Sequence, residues 1–423
     1  MPAPLVDAPD AARDAAAAAG TPGTGSTPAL RLKAVLLMAG SCLPILGAVL
    51  MAPVLPRMQD HFESTPGADA LVPIALTIPA LALGLLAPFA GVLIDRLGRH
   101  RLLVWATVVY AFVGTAPLWL DSLGAIVASR ALVGVTEAVI MTCCTTLIGD
   151  YWSGPARDRL LAVQTICAAV SATAFFAIGG AIGSAGWRAP FWAYAVSLLL
   201  APLLATVLRP KAGTAADGAA GTDAASAASA VEQRPYPWRR MAATCGLTFF
   251  GAVVFYTVPV EMSYLLDDLG VKKSAAVGLA TAVASAATVA GAASFARVGA
   301  RAQAFLPYVL ALCAAGFAVM SAAGGAPLLV VGAVVNCVGT GVLLPLLLTR
   351  AMALLDHADR GRGTGLWTAA FFLGEFVCPL VLLGLSKPLG GLAAAVGVLA
   401  AATAVVALGV FLKDRRTAVA TAV

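Results

Sequence analysis

The chain has 423 residues, of which 60% are hydrophobic and only 11% are charged, and it contains 42 glycines. This composition excludes an ordinary soluble globular domain and indicates a protein that lies in a lipid bilayer. The formal net charge is +6. We attribute the excess of basic residues to membrane topology, and we expect no nucleic-acid partner.

The first 30 residues are mostly Ala, Pro, Gly, Asp and Thr, with almost no large apolar side chain. Such a segment cannot bury enough apolar surface to offset the entropy lost on ordering, so residues 1–30 are predicted to form a disordered cytoplasmic tail. A secretory signal needs a basic start and a continuous apolar core, and neither precedes Arg31. We therefore expect this tail to stay attached.

Apolar stretches of about 20 residues, the length of a spanning helix, fill most of the remaining chain. Six lie near 34–55, 70–93, 102–120, 124–148, 160–184 and 189–208, and six near 241–265, 274–296, 304–323, 326–349, 364–386 and 389–412. They predict an all-α membrane protein with twelve transmembrane helices in two six-helix bundles, which cover residues 31–208 and 241–413. The polar composition of residues 209–240 predicts a flexible cytoplasmic linker, and residues 414–423 are predicted to form a second cytoplasmic tail.

The basic residues predict the orientation of these helices. If both termini are cytoplasmic, 21 of the 27 Lys and Arg residues lie on cytoplasmic segments, five lie on the other side, and Arg130 alone lies inside a span. Cytoplasmic connections retain basic residues, so both termini are predicted to be cytoplasmic.

The connection after the second stretch is unusually polar. Residues 91–101 read Gly-Val-Leu-Ile-Asp-Arg-Leu-Gly-Arg-His-Arg. Charged groups do not sit in hydrocarbon, so this run predicts a tight turn on the cytoplasmic side. Asp95 can accept backbone N–H bonds or pair with an Arg, whereas Gly91 and Gly98 permit close helix approach and the turn. Alternatively, the turn only fixes the topology.

This run resembles the signature loop of the major facilitator superfamily, Gly-x-Leu-x-Asp-Arg-x-Gly-Arg-[Arg/Lys]-x. His100 takes a place that Arg or Lys usually holds, and the other fixed positions are filled. The resemblance implies a major facilitator fold of two pseudo-symmetric bundles, with this loop as part of a cytoplasmic latch between them. The residues that we assign to this cytoplasmic gate are Gly91, Asp95, Arg96, Gly98 and Arg99.

The fourth stretch contains Arg130 and Glu137. They are seven residues apart, which places both on one helix face about 10 Å apart. Charged groups at this depth are costly and usually face a water-filled cavity or a partner, although a structural ion pair is the alternative. The run from Arg130 to Gly134 resembles the Arg-x-x-x-Gly pattern on the fourth helix of the superfamily. That resemblance associates Arg130 with proton coupling.

Glu375 lies near the middle of the eleventh stretch and is expected to face inward. A buried carboxyl without a fixed cation can exchange a proton, which suits a proton carrier. We therefore predict that Arg130, Glu137 and Glu375 are the proton-coupling residues.

Three further polar residues lie at plausible cavity depth. Glu261 follows Pro259 in the seventh stretch, where an interfacial position is the alternative, and Tyr256 precedes it. Asn336 lies in the tenth stretch. For Tyr256 and Asn336 the alternative is an interhelical hydrogen bond. Tyr256, Glu261 and Asn336 are our candidate substrate-cavity residues.

The fifth stretch resembles the end of the proton-antiporter pattern Gly-x-x-x-Gly-Pro-x-x-Gly-Gly. Gly179 and Gly180 match its last two positions, but Phe175 and Phe176 stand where the pattern has Gly-Pro, and Ser171 replaces its first Gly. This departure weakens the prediction of export. The small residues here could instead permit tight helix packing.

Other classes of site are not indicated. The eight cysteines lie in apolar runs without metal-ligand spacing, so neither disulfides nor metals are expected. No Gly-x-x-x-x-Gly-Lys-[Ser/Thr] run is present, so energy must come from a gradient and no cofactor is expected. An enzyme is disfavoured because no His cluster, metal pair, or nucleophile with a base appears among the spans.

Together these features predict a monomeric secondary active transporter in a bacterial inner membrane, moving a small molecule by alternating access through proton-coupled efflux. A proton-coupled nutrient importer and a non-transporting membrane sensor remain as alternatives. Three acids against one base near the spans favour a cationic or neutral lipophilic substrate, although a siderophore or a sugar stays open. The expected partners are the substrate, protons and the lipid bilayer.

Overall fold

A computed structural model describes residues 28–87, 89, 98–208, 236–298, 304–355 and 359–422. All regular elements within these ranges are helices. The long helices are α1 (Pro28–Val49), α2 (Ala68–Leu86), α3 (Arg99–Thr115), α4 (Leu123–Tyr151), α5 (Gly154–Gly183), α6 (Val196–Val207), α7 (Trp238–Asp268), α8 (Ser274–Val298), α9 (Leu306–Ser321), α10 (Ala326–Met352), α11 (Arg360–Leu389) and α12 (Leu392–Ala422).

Each of the twelve predicted stretches corresponds to one of these helices, which confirms the predicted all-α membrane fold. Among the described residues, eleven helical spans are long and apolar enough to cross a membrane. The remaining helix, α9, is apolar but has only 16 residues. Helix α6 is short because its first part, Ala189–Ala195, is a 3-10 helix.

Several helices extend beyond the apolar stretches from which they were predicted. Helix α5 begins at Gly154, with Pro155 in its first turn, where the missing N–H of proline costs no hydrogen bond. Helix α12 continues to Ala422, so most of the predicted tail 414–423 is helical. The predicted tail up to residue 27 and the linker residues 209–235 lie outside the described residues.

The alternating helices define two ends of the molecule. We call the end where α1 begins and α12 ends the termini end, and the other the opposite end. At the termini end, the hydroxyl of Tyr151 in α4 donates to the carbonyl of Leu208 after α6, at 2.7 Å. At the opposite end, Arg188 binds Asp121 at 2.7 Å. These contacts fix neighbouring helix ends within the first bundle.

The two bundles meet along α5 with α8 and along α2 with α11. A Cβ on Gly278 of α8 would lie 2.7 Å from the Cα of Gly180 in α5, so glycine at these positions lets the two backbones touch. Nearby, Thr173 donates to Ser285 at 3.1 Å. Helix α2 is joined to α11 where Thr77 Oγ1 donates to the carbonyl of Phe376 at 3.4 Å. These polar contacts lie between mid-helix and the opposite end, where the bundles are therefore in close contact.

Candidate functional site

The carboxyl end of α1 supplies free backbone acceptors in the middle of the molecule. Because α1 ends at Val49, the carbonyls of Gly47 and Ala48 have no N–H partner within the helix. Arg130 Nη2 in α4 donates to the carbonyl of Gly47 at 2.7 Å. The hydroxyl of Tyr256 in α7 donates to the carbonyl of Ala48 at 2.9 Å. One turn of α1 thus binds side chains from both bundles.

Arg130 is fully buried, with an exposed fraction of 0%. Besides Gly47, its guanidinium donates through Nε to the carbonyl of Ala75 at 3.3 Å and through Nη1 to the hydroxyl of Tyr194 at 2.6 Å. Its position at the carboxyl end of α1 is also favourable for a cation, because the helix dipole is negative there. These contacts offset part of the cost of removing the charge from water.

Glu137 lies two turns further along the same face of α4 and is also buried, with an exposed fraction of 1%. Within the part of the chain that the structure describes, neither of its carboxylate oxygens has a hydrogen-bond partner. A Cβ at Gly47 would overlap Glu137 Oε1, so the absence of a side chain at residue 47 makes room for this carboxyl. A buried carboxylate without a partner is costly, and binding a proton removes that cost.

Glu375 approaches this group from the second bundle. Its side chain on α11 is buried, and its carboxyl lies within electrostatic reach of Glu137 and Tyr256. The described residues give it no hydrogen bond or ion pair. The structure therefore brings together four of the predicted residues, Arg130, Glu137, Tyr256 and Glu375, around the end of α1.

An aromatic cluster lies on the termini side of Glu375. Trp367 and Phe371 stack with their centroids 5.6 Å apart and their planes at 3°. The centroid of the Phe371 ring also lies 6.0 Å from that of Phe255 in α7 and 5.3 Å from that of Phe372. Trp367, Phe371 and Glu375 follow one another at intervals of four residues, which places them along one face of α11. These half-buried rings place apolar aromatic surface on the termini side of Glu375.

A polar cluster joins α1, α4 and α5 within the first bundle. Gln164 of α5 donates to Ser41 of α1 at 2.7 Å and to Thr145 of α4 at 3.2 Å. Thr145 is exposed, so this cluster reaches the molecular surface. No sequence pattern marks this set, because single hydroxyl and amide residues in apolar helices are common.

Two predicted cavity residues lie away from the end of α1. Asn336 is buried in α10 and donates through Nδ2 to the carbonyl of Cys313 in α9 at 3.2 Å. A Cβ at Gly316 of α9 would lie 2.5 Å from the backbone nitrogen of Asn336, so the two helices pack closely here. Glu261 lies further along α7, toward the opposite end, in a separate small cavity.

The predicted gate residues are only partly described. Gly91, Asp95 and Arg96 lie outside the described residues. Gly98 has φ of +83° and open space around its Cα, so glycine is needed there for the turn itself. Arg99 forms an ion pair with Asp150 at the end of α4, within the first bundle.

The glycines of α5 are used for packing. A Cβ at Gly179 would overlap the carbonyl oxygen of Leu50, and one at Gly180 would overlap the carbonyl oxygen of Ser274 in α8. The tight-packing interpretation therefore accounts for both residues without reference to an antiporter pattern.

The residues that the sequence analysis missed are Gly47, Tyr110 and Tyr194. Tyr110 donates to the carbonyl of Leu43 at 2.6 Å, and its ring lies 5.2 Å from that of Tyr194. Both tyrosines pack against the Arg130 and Glu137 region. No sequence pattern marks these three residues, since each contributes through a contact between distant segments.

Comparison with known proteins agrees with this architecture. Residues 37–324 match the family model of the Major Facilitator Superfamily. The class C tetracycline resistance protein of Escherichia coli is 32% identical over 167 residues, which is 38% of this chain and 41% of that protein. Protein spinster homolog 3 of Danio rerio is 27% identical over 241 residues, which is 53% of this chain and 46% of that protein. The matched regions thus span less than half the length of these relatives.

Solved structures with the same fold cover nearly the whole chain. A D-xylose–proton symporter superposes with a TM-score of 0.73 at 13% identity, covering 90% of this chain and 96% of that one. A bacterial homologue of the human lysosomal transporter Spinster, in an inward-facing and occupied conformation, gives 0.73 at 16% identity, covering 93% and 98%. The family match, the twelve helices and these structural neighbours together show that the chain belongs to the Major Facilitator Superfamily of membrane transporters.

Proposed function

We propose that the protein is a proton-coupled exporter of small lipophilic molecules. The observation that carries this proposal is the carboxyl of Glu137, which is buried without a partner beside Arg130, where α1 is also bound by Tyr256 of the other bundle. A proton gained or lost at Glu137 changes the net charge of this group by one. That change acts on the turn of α1 that both bundles hold.

In this mechanism, the Tyr256 bond to Ala48 belongs to the state in which the opposite end is closed. Loss of the Glu137 proton leaves a buried carboxylate without a hydrogen-bond partner, which favours separation of the bundles and entry of water. Arg130 affects how readily Glu137 holds its proton. Glu375 lies close enough for its carboxyl to interact electrostatically with the charge on Glu137. Alternating access follows because the two states differ in the cost of this one charge.

The lining of the site supports a neutral or cationic lipophilic substrate. The aromatic cluster of Phe255, Trp367, Phe371 and Phe372 offers stacking surface, and Glu375 at its inner end offers a negative or neutral carboxyl. Relatives include proteins named for tetracycline resistance and for multidrug efflux, the latter LfrA of Mycolicibacterium smegmatis at 31% identity over 45% of this chain. Their names support export by this chain.

We place the termini end in the cytoplasm of a bacterial cell and the protein in its inner membrane. The predicted distribution of Lys and Arg supports this orientation. The bacterial relative from Escherichia coli supports the compartment.

Growth of an expressing strain across a panel of toxic compounds tests the proposal. The wild type should raise tolerance to at least one lipophilic compound, and both Glu137→Gln and Asp95→Asn should lose that gain. Asp158→Asn, which changes an exposed acid at the start of α5, is the matched control and should keep it. Equal tolerance in all strains would remove efflux from consideration.

Import by proton symport is the second candidate, because α5 lacks the Gly-Pro of the antiporter pattern at Phe175 and Phe176. Inverted vesicles separate the two directions. With the vesicle interior made acidic, an exporter accumulates the compound found in the panel, whereas a symporter releases it. A non-transporting sensor would show no flux in either direction, and Glu137→Gln would leave its phenotype intact.

A further inference from the structure

A second cluster of charged residues lies at the opposite end, away from Arg130, Glu137 and Glu375. A cavity of about 190 Å³ opens there between the bundles. Its polar wall consists of Gln59, Asp69, Glu261, Tyr264, Asp268 and Ser386. Gln59 and Asp69 belong to the first bundle and the other four to the second, so the cavity exists only while the two bundles are together at this end.

Glu261 forms the buried part of this wall. Its side chain is 5% exposed and has no hydrogen bond or ion pair among the described residues. The hydroxyl oxygen of Tyr264, one turn further along α7, is also buried without a hydrogen-bond partner. Buried polar groups are normally satisfied, so two unsatisfied groups lining one cavity indicate a missing partner.

The charges around the cavity specify the sign of that partner. Asp69 and Asp268 join Glu261 in the wall, and Asp60 lies close enough to act on Tyr264. A cation at this rim, Lys387, has its Nζ 3.6 Å from Asp69 Oδ2 and a side chain that is 66% exposed. Asp69 also accepts from Gln59 Nε2 at 3.3 Å. Lys387 thus engages the exposed rim and leaves the buried carboxyl of Glu261 unpaired.

The geometry favours an organic cation over a bare metal ion. Within the described ranges, no group of three His, Cys, Asp or Glu side chains is close enough to hold a metal. The cavity also has apolar walls at Pro73, Pro379 and Leu383, and it includes the ring of Tyr264. A small alkylammonium ion uses both features, because its charge pairs with carboxylates while its methyl groups contact apolar and aromatic surface.

We propose that this cavity binds a small organic ammonium ion, with Glu261 as its buried counter-charge. Because both bundles form the wall, a bound ammonium stabilises the conformation in which the opposite end is closed. Lys387 competes with it for the carboxylates at the rim. This site does not depend on the proposed proton coupling at Glu137, and the two ideas can fail separately.

Equilibrium binding of radiolabelled choline to the purified full-length protein in lipid nanodiscs tests this inference. Choline should bind saturably, and 3,3-dimethyl-1-butanol, its uncharged isostere, should not compete. Glu261→Gln should weaken choline binding by about tenfold or more, since it leaves a cation without its buried counter-charge. Asp158→Asn, which changes an exposed acid at the start of α5 and away from the cavity, is the control and should bind as the wild type does. Glu375→Gln tests whether choline binds beside Glu375 instead.

Lys387→Met provides a variant with the opposite expected effect. Removal of the competing ammonium should tighten choline binding by about two- to fivefold, a change that misfolding cannot imitate. The proposal is overturned if choline does not bind saturably, if the uncharged isostere competes equally, if Glu261→Gln retains wild-type affinity, or if only Glu375→Gln loses binding. The last result would place choline beside Glu375 near the end of α1.

Discussion

At the scale of single residues, the site depends on the absence of a side chain at Gly47. The carboxyl of Glu137 occupies the space that a side chain at residue 47 would fill, and the carbonyl of Gly47 binds Arg130. Glycine is therefore needed here for its size, since α1 is regular helix at this point. Gly47 therefore sets how closely Glu137 approaches the end of α1, where Arg130 is also bound.

Replacing Gly47 by alanine tests this arrangement. Gly47→Ala should displace Glu137 or α1, destabilise the protein by about 1–3 kcal/mol and abolish the proposed proton-coupled transport. Gly246→Ala is the control, because a Cβ at Gly246 in α7 meets nothing within 4 Å and should not destabilise the protein. Thermal unfolding and flux should be measured on both variants. Wild-type flux in Gly47→Ala would contradict the assigned contact.

The hydroxyl of Tyr256 is the second residue-scale test. Tyr256→Phe keeps the ring but removes the bond to Ala48, which should weaken the state closed at the opposite end by about 0.5–1.5 kcal/mol. Spin labels on the two bundles at that end should then report a larger fraction of long distances. Tyr308→Phe, on exposed α9 surface, should leave the distribution unchanged. An unchanged distribution in Tyr256→Phe would show that this bond does not hold the bundles together.

At the scale of helices, the contact of α5 with α8 closes the opposite end. Two glycines face each other there, and a side chain on either would push the backbones apart. Helix packing in membranes depends on such close approach, because lipid gives no hydrophobic drive for helices to associate. The closed state therefore depends in part on small residues at this crossing, beside the contacts of α2 with α11 and of Tyr256 with Ala48.

Gly180→Ala should shift the protein toward the state that is open at the opposite end. A Cβ there would overlap the carbonyl oxygen of Ser274. The matched control is Gly384→Ala on α11, where a Cβ has open space. Labelling of a cysteine placed at Ser274 by an impermeant thiol reagent should be faster in Gly180→Ala and unchanged in the control. Equal labelling in both would mean that the crossing tolerates a methyl group.

The sequence was informative about helices and less so about their faces. Apolar length alone located all twelve, but the charged ends of α5 and α12 continue into water, where hydropathy no longer marks a helix. Arg130 and Glu137 were found because charge is rare inside a membrane. An uncharged residue such as Asn336 does not indicate which neighbour its helix face contacts. It packs against α9 and lies away from Arg130 and Glu137.

Gly47 and Tyr194 could not be predicted, because their role arises only where separate helices meet. The carbonyl of Gly47 is available since α1 stops at Val49, and that stop is not marked by a charge or by a proline immediately after it. Tyr194 lies 64 residues from Arg130 along the chain. Contacts of this kind depend on tertiary packing, which a pattern of apolar stretches does not specify.

At the scale of the whole molecule, the two bundles meet at the opposite end and bury Arg130, Glu137 and Glu375 near the end of α1. The distribution of basic residues predicts that the termini end is cytoplasmic. A fluorescent protein fused after Val423 should therefore be fluorescent in a bacterial host, and alkaline phosphatase fused at the same position should be inactive. Phosphatase activity at that position would reverse the orientation and the direction proposed for transport.

The most direct test of the account is proton release during transport. Inverted membrane vesicles are acidified by respiration, and a pH-sensitive dye reports their internal pH when a transported compound from the growth panel is added. The wild type should discharge part of the gradient, Asp158→Asn should do the same, and Glu137→Gln at equal expression should discharge none. A gradient that Glu137→Gln discharges as fully as the wild type does would contradict the central role of this carboxyl.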